Sequence, residues 1–377
     1  MIDRIQEKNI RQWLGKGKAI ILIGPRQVGK TTLVQEITSS LDRKALWLTG
    51  DDPQVRLLLE NISLARLQAI IGEHEVVVVD EAQRFHNAGL TLKLVTDHLP
   101  QVQLLVTGSS SLDLAAETKE SLVGRKFEFL LFPLSFVEMC AHHGYLAERS
   151  LLEHRMIFGY YPEVVKNEPT LSQKILNDLS DGLMYKDLLT FDQLKKPSLL
   201  VKLLQALAMQ IGSEVSYNEI AQLIGADPLT VERYVDLLEQ TFVLFRLPSL
   251  SRNARNEIKK GRKIYFYDNG IRNSIIKNFN PIPLRMDKGA LWENFLIAER
   301  MKRNAYRDYF CNSYFWRTTT QQEIDYVEDY GGKLYAFEFK WQSKKPPRFP
   351  KSFLEAYPGS ETELIDRENF ETFVGIL

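Results

Sequence analysis

Gly24-Pro25-Arg26-Gln27-Val28-Gly29-Lys30-Thr31 is the stretch on which the reading of this chain turns. It fits G-x-x-x-x-G-K-[S/T], and its flanks supply the context that spacing alone lacks. The apolar run AIILIG (19–24) leads in, and a helical pattern beginning at Thr31-Thr32 leads out. A strand that turns through glycines into a helix leaves backbone N–H groups facing inward at the positive end of the helix dipole. The segment from Gly24 through Pro25, Arg26, Gln27 and Val28 to Gly29 is therefore expected to surround phosphates. Lys30 would reach the β- and γ-phosphates, and the Thr31 hydroxyl, followed by Thr32, would sit at a Mg²⁺ ion. The plainer alternative is a glycine-rich turn beside an exposed lysine.

Further runs repeat the strand pattern: KALWLTG (44–50), EVVVVD (75–80) and VQLLVTG (102–108). Near-continuous apolar runs of this length read as strands buried on both faces of a parallel sheet, with crossover helices between them. The third run ends in Asp80-Glu81. Two carboxylates straight after a buried strand are costly as pure structure. Beside Mg-ATP they have work: Asp80 holds the metal through water, and Glu81 orients the attacking water. The fourth run ends in small hydroxyls, where Thr107 or Ser109 would contact the γ-phosphate or the lytic water if this strand lies between the two motif strands. Simple helix capping by residues 109–111 is the alternative. Arg125 in LVGRKFEF is a candidate for stabilising the transferred phosphoryl group, or else a surface arginine.

Composition narrows the rest. Lysine plus arginine and aspartate plus glutamate number 48 each, so no chain-wide field favours nucleic acid, and any such site must be a local basic patch. Two distant cysteines, Cys140 and Cys311, give neither a disulfide framework nor a zinc pattern. The opening residues lack the apolar core of a signal peptide, and no run approaches a membrane span, so a cytoplasmic protein without membrane association is expected.

Beyond residue 195 the pattern changes. Helical spacing over 199–211, then SYNEIAQLIG (216–225) with Ser216 and Glu219 in capping-box spacing, then 228–240, gives three helices. FVLFRL (242–247) and KIYFYD (263–268) flank the charged loop SRNARNEIKKGR (251–262). Three helices and a two-stranded wing make a winged helix-turn-helix. Its recognition-helix candidate, within 228–240, is acidic (Glu232, Asp236, Glu239 against Arg233), which disfavours insertion into a DNA groove. The wing carries Arg252, Arg255, Lys259, Lys260, Arg262 and Lys263 against Glu257, so it could follow a DNA backbone or simply space two domains. In the last segment Asp325 lies in EIDYV, and Glu338 and Lys340 lie in YAFEFKW. Glu338 and Lys340 share a strand face opposite Tyr335, Phe337, Phe339 and Trp341. Together with Asp325 they could bind Mg²⁺ and activate water for phosphodiester cleavage, or form an ordinary pair on a solvated face.

The pieces GPRQVGKTTL, VVVVDEAQRF, LVTGSSS, LVGRKFEFLLFPLSFVEM, YYPEVV and IYFYDNGIRN resemble prokaryotic AAA-type ATPases with a C-terminal domain of formerly unknown function. The resemblance implies an α/β chain in three parts. These are a P-loop AAA-like parallel-sheet domain with a helical lid region (1–195), a winged helix (196–285) and a small α/β domain resembling PD-(D/E)XK nucleases (286–377). It places a further acid at Glu293, with Glu299 as substitute or partner, because Glu299 falls on the apolar stripe of its helix and Glu293 just outside it. The partners implied are ATP, DNA through the wing, and a second copy or a partner protein.

Overall fold

The computed structural model describes residues 2–109, 122–182, 197–251, 261–343 and 348–376. Two compact units emerge, Met1–Leu134 with Gln240–Phe242, and Ser135–Glu239 with Val243–Leu377.

The first unit is built on five parallel strands: β1 (Ala19–Ile23), β2 (Ala45–Thr49), β3 (Val76–Asp80), β4 (Gln103–Gly108) and β5 (Lys126–Leu130). Their order is β2-β3-β4-β1-β5. The three inner strands are the most apolar and are buried almost throughout. β2 departs from the expectation of burial on both faces: it is an edge strand, with Trp47 36% exposed. The edge also explains β5, a strand that no continuous apolar run marks in the sequence. Its Lys-Phe-Glu-Phe alternation suits one covered and one open face. β4 lies between β1 and β3, so the loops after all three open along one edge of the sheet.

The second unit begins with the helix Phe136–His143, fixed by a complete capping box between Ser135 and Glu138. Helices Leu152–Phe158 and Pro169–Gly182 pack on the helix Asn269–Ile275. Tyr160 N–H donates to Asp268 (2.7 Å), whose carboxylate also caps that helix through Gly270 N–H (2.8 Å) and Ile271 N–H (3.2 Å). Asn273 Nδ2 donates to the carbonyl of Ile157 (2.8 Å). Glycines make this fit: a Cβ on Gly159 would lie 2.0 Å from Asp268 Oδ1, and one on Gly270 would lie 2.1 Å from the Phe158 carbonyl. The motifs YYPEVV and IYFYDNGIRN are thus two halves of one joint.

Helices Pro197–Met209, Tyr217–Ile224 and Pro228–Gln240 come next, followed by the antiparallel pair β6 (Leu244–Pro248) and β7 (Arg262–Phe266). Ser216 accepts from Glu219 N–H, and Gly225 ends its helix with φ +73°. The helix Lys288–Tyr306 then packs on a sheet of order β11-β10-β9-β8, formed by Asn312–Arg317 (β8), Glu323–Tyr330 (β9), Lys333–Phe339 (β10) and Glu361–Ile365 (β11). Both faces of this sheet are covered: Phe337 and Phe339 meet Phe373, while Ala336 packs with Ile324, Trp316 and Phe353. Among the described residues no helix is long and apolar enough to cross a membrane.

Candidate functional site

The glycine loop leaves β1 through a backbone that only glycine permits at its first position. A Cβ on Gly24 would lie 1.9 Å from the Leu131 carbonyl, because β5 continues alongside. Gln27 (φ 60°) and Gly29 (φ 93°) take left-handed conformations that close the turn. The helix Lys30–Ser39 starts at Gly29 without a side-chain cap, which leaves its first N–H groups directed into the loop. Lys30 is buried and its Nζ donates to the carbonyls of Gly24 (2.9 Å) and Pro25 (2.7 Å). Arg4 braces the outside of the loop, donating from Nη1 to the Val28 carbonyl and from Nη2 to the Phe132 carbonyl, both at 2.6 Å. Nothing in the sequence around Arg4 announces this contact, since the pairing spans 128 residues.

Asp80 ends β3 against two hydroxyls. Thr31 Oγ1 donates to Asp80 (3.0 and 3.2 Å), and Thr107 Oγ1 donates to Asp80 Oδ1 at 2.5 Å. Thr107 Oγ1 accepts from Glu81 N–H (3.1 Å). Glu81 is left-handed (φ 53°), and Gly50 makes room for that turn: its Cβ would lie 2.5 Å from the Glu81 carbonyl. Gln83 ties the edge together, donating from Nε2 to Glu81 Oε2 (2.5 Å) and Ser109 Oγ (2.8 Å), while its Oε1 accepts from Ser109 N–H. Sequence reasoning passed over Gln83, although it stands two residues after the acidic pair in DEAQ. Hydroxyl and carboxylate oxygens alone make a donor set suited to a hard cation such as Mg²⁺.

Three family models match the chain: an AAA domain at 16–140, a domain of unknown function (DUF8612) at 149–281 and another (DUF4143) at 288–370. Residues 16–140 form an AAA-type P-loop ATPase domain. An uncharacterized protein of Mycobacterium tuberculosis is 25% identical over 334 residues, covering 88% of this chain and 72% of its own. One from Haemophilus influenzae is 23% identical over 313 residues, covering 75% of this chain and 74% of its own. A Walker-type ATPase of Pyrococcus abyssi shares the fold, with a TM-score of 0.50 and 17% identity over 73% of this chain and 96% of that one.

Within the AAA domain, the sequence-derived residues Gly24 to Thr32, Asp80, Glu81, Thr107 and Ser109 lie along one edge of the sheet. Ser110 and Ser111 fall outside the described residues. Arg125 lies away from this edge. It precedes β5, and its carbonyl accepts from Ala19 N–H, so it lies at the start of β1 whereas the loop follows the end. Five strand residues put roughly 15 Å between them. Its side chain pairs with Asp97 instead.

The second unit gathers a different set. Glu293 accepts from Tyr265 Oη (2.5 Å) and from Lys263 Nζ (3.1 Å). Lys263 Nζ also meets Glu323 at 2.5 Å. Asp325 Oδ2 accepts from Phe339 N–H (2.8 Å), and Lys340 Nζ lies 3.5 Å from Glu338. Burial pushes Glu338 up to about 7, reinforced by the Asp325 carboxylate beside it. Burial likewise raises Asp325, opposed by Lys263, and lifts Glu293 to about 7 against the same ammonium. Asp325 thus acts electrostatically on both Glu293 and Glu338. Yet among the described residues no group of three or more Asp, Glu, His or Cys side chains could hold a metal ion.

Two expectations fail for the same reason, that the elements are buried on more than one side. Glu299 does not join this cluster: it pairs with Lys302 (2.7 Å) and accepts from Phe136 N–H (2.8 Å). Lys263 is no wing cation, being only 1% exposed. Arg262 lies 4.2 Å over the Tyr217 ring. The remaining wing charges, Arg252, Arg255, Glu257, Lys259 and Lys260, lie outside the described residues. Asp236 and Glu239 of the acidic helix are occupied by Arg246, at 2.6 Å and closer.

Proposed function

We propose that this chain binds Mg-ATP in the AAA domain, hydrolyses it, and uses the cycle to reposition a C-terminal half that docks a macromolecular partner. The observation that carries the reading is the set Lys30–Thr31–Asp80–Thr107–Glu81, assembled from three adjacent strand ends around one uncapped helix start. In the bound state Lys30 exchanges its two loop carbonyls for phosphate oxygens. Thr31 and Asp80 would hold the Mg²⁺, which would neutralise charge on the phosphates. Glu81 accepts the proton of the attacking water and Gln83 holds its carboxylate in place, while Ser109 and Thr107 orient that water or the γ-phosphate. Arg125 is assigned no role toward the nucleotide of its own chain; in a homo-oligomer it remains available to a neighbour's.

We divide the chain functionally into the AAA-like domain with its lid (1–195), a winged helix (196–285) and a small α/β domain akin to the PD-(D/E)XK fold (286–377). Asp325, Glu338 and Lys340 on adjacent strands favour a second reading, a Mg²⁺-dependent nuclease with Glu293 as its further acid. The surroundings do not fit a divalent ion, because the Lys263 ammonium already pairs with Glu293 and with the adjoining Glu323.

The test is steady-state phosphate release from ATP with and without Mg²⁺, for the wild type and Lys30→Ala, with duplex DNA present or absent. Mg²⁺-dependent turnover lost in Lys30→Ala supports the reading. Equal turnover in both proteins removes it. Acceleration by DNA would make nucleic acid the partner.

A further inference from the structure

Lys263 stands where charge is hardest to hold. Its side chain is 1% exposed, and its ammonium touches Glu293 at 3.1 Å and Glu323 at 2.5 Å. Asp325 also acts on it electrostatically, and the carboxylates together outweigh the burial that opposes its charge, holding its pKa above the usual lysine value. The ring of Phe315 covers it at 5.4 Å. A buried lone ammonium would cost several kcal/mol, so these acids are what keep it charged.

The backbone that carries Lys263 is pinned on both sides. It pairs with Leu247 of β6 and forms a bridge to Glu214, beside the Val215 N–H to Arg262 carbonyl bond (2.8 Å). Two residues on, and so on the same strand face, Tyr265 donates to the same Glu293 oxygen. β7 therefore presents an ammonium and a hydroxyl to one carboxylate. Withdrawing the cation would require moving the strand.

We propose that the Lys263 ammonium is the resident cation of the Glu293–Glu323–Asp325 cluster, taking the place a divalent ion would need, so that the C-terminal sheet is held by β7 and does not cleave phosphodiesters. A divalent ion beside a buried ammonium would meet like charge at short range in a poorly solvated site. The inference stands apart from the ATP reading, because its test contains no nucleotide.

The experiment is Mn²⁺ binding to the full nucleotide-free chain, followed by the loss of the free-ion electron paramagnetic resonance signal. Wild type and Asp325→Asn are expected to bind alike, which shows that no Mn²⁺ depends on Asp325. Lys263→Met is expected to gain a site at least about tenfold tighter than any the wild type has, cancelled by adding Asp325→Asn. Wild-type binding that Asp325→Asn removes would overturn the proposal, as would a folded Lys263→Met that takes up no more Mn²⁺ than wild type. If Lys263→Met does not fold, Lys263→Met/Glu293→Gln decides, because it removes one charge of each sign. A melting temperature restored toward wild type supports the pairing, and a double variant no better folded than the single one rejects it. Supercoiled DNA with Mn²⁺ should stay intact; nicking that Asp325→Asn abolishes would also refute it.

Discussion

The nucleotide loop of the first unit and the carboxylate cluster of the second are both assembled at strand ends, but from different material. The loop is mostly backbone. Its shape comes from Gly24, a left-handed Gln27 and Gly29, and an uncapped helix start, and its side chains come from short contiguous motifs. The cluster is mostly side chain, with carboxylates from the helix Lys288–Tyr306, β9 and β10 balanced by a lysine from β7. A backbone site announces itself by spacing. A side-chain cluster takes its character from whichever charge the fold brings next to it.

The largest effect should break the first side of the comparison. Glu81→Gln is expected to lower the turnover number about 10²–10⁴-fold while ATP affinity, measured by equilibrium titration, stays within a few-fold. Retained turnover would mean that the left-handed acid after β3 has no part in hydrolysis. On the other side, Lys263→Met should cost about 3–5 kcal/mol in urea denaturation, as expected when one partner of a buried ion pair is removed. A loss below about 1 kcal/mol would show the cluster to be solvated and weakly coupled.

A second buried charge set in the same unit sharpens the contrast by its pH response. Burial disfavours the Asp287 carboxylate, but Arg285 and Arg272 hold its pKa down to about 2. Because the folded value is depressed below the usual 3.8, its stabilisation is present above about pH 4 and is lost as pH falls through about 2. Asp287→Asn should therefore lower the urea midpoint at pH 7, and the gap from wild type should narrow toward pH 2. A gap constant between pH 7 and 2 would contradict the assigned pairing.

Smaller still, Gln83→Ala should reduce the turnover number by about tenfold, with little change in KM, since it orients Glu81 and does not bind substrate. Gln83→Glu should not rescue, because it cannot donate to both Glu81 and Ser109. A change in KM alone would make Gln83 a binding residue. At the bottom of the scale, Arg125→Ala removes an exposed pair with Asp97 and should cost under about 1 kcal/mol, leaving turnover unchanged at low protein concentration. Loss of activity that appears only as the protein concentration rises would place Arg125 at a neighbour's nucleotide.

By itself the sequence determined four of the five parallel strands and the nucleotide edge. The loop and the acidic pair follow strands whose apolar runs fix their burial, and the chemistry needs only residues close in sequence. It also determined the three helices and two strands between residues 197 and 268, through Ser216, Gly225 and strand alternation. Tertiary structure decided where side chains went when the choice depended on distant partners. It placed β5 beside β1 and so sent Arg125 to the far edge of the sheet, and it joined Tyr160 to Asp268 across 108 residues. It also took Lys263 out of an apparently basic, exposed run and buried it among carboxylates. Local patterns report a residue's own preference for water or core. Whether a charge is solvated, paired or metal-bound depends on the field of neighbours that folding brings to it, and that field has no signature at short range.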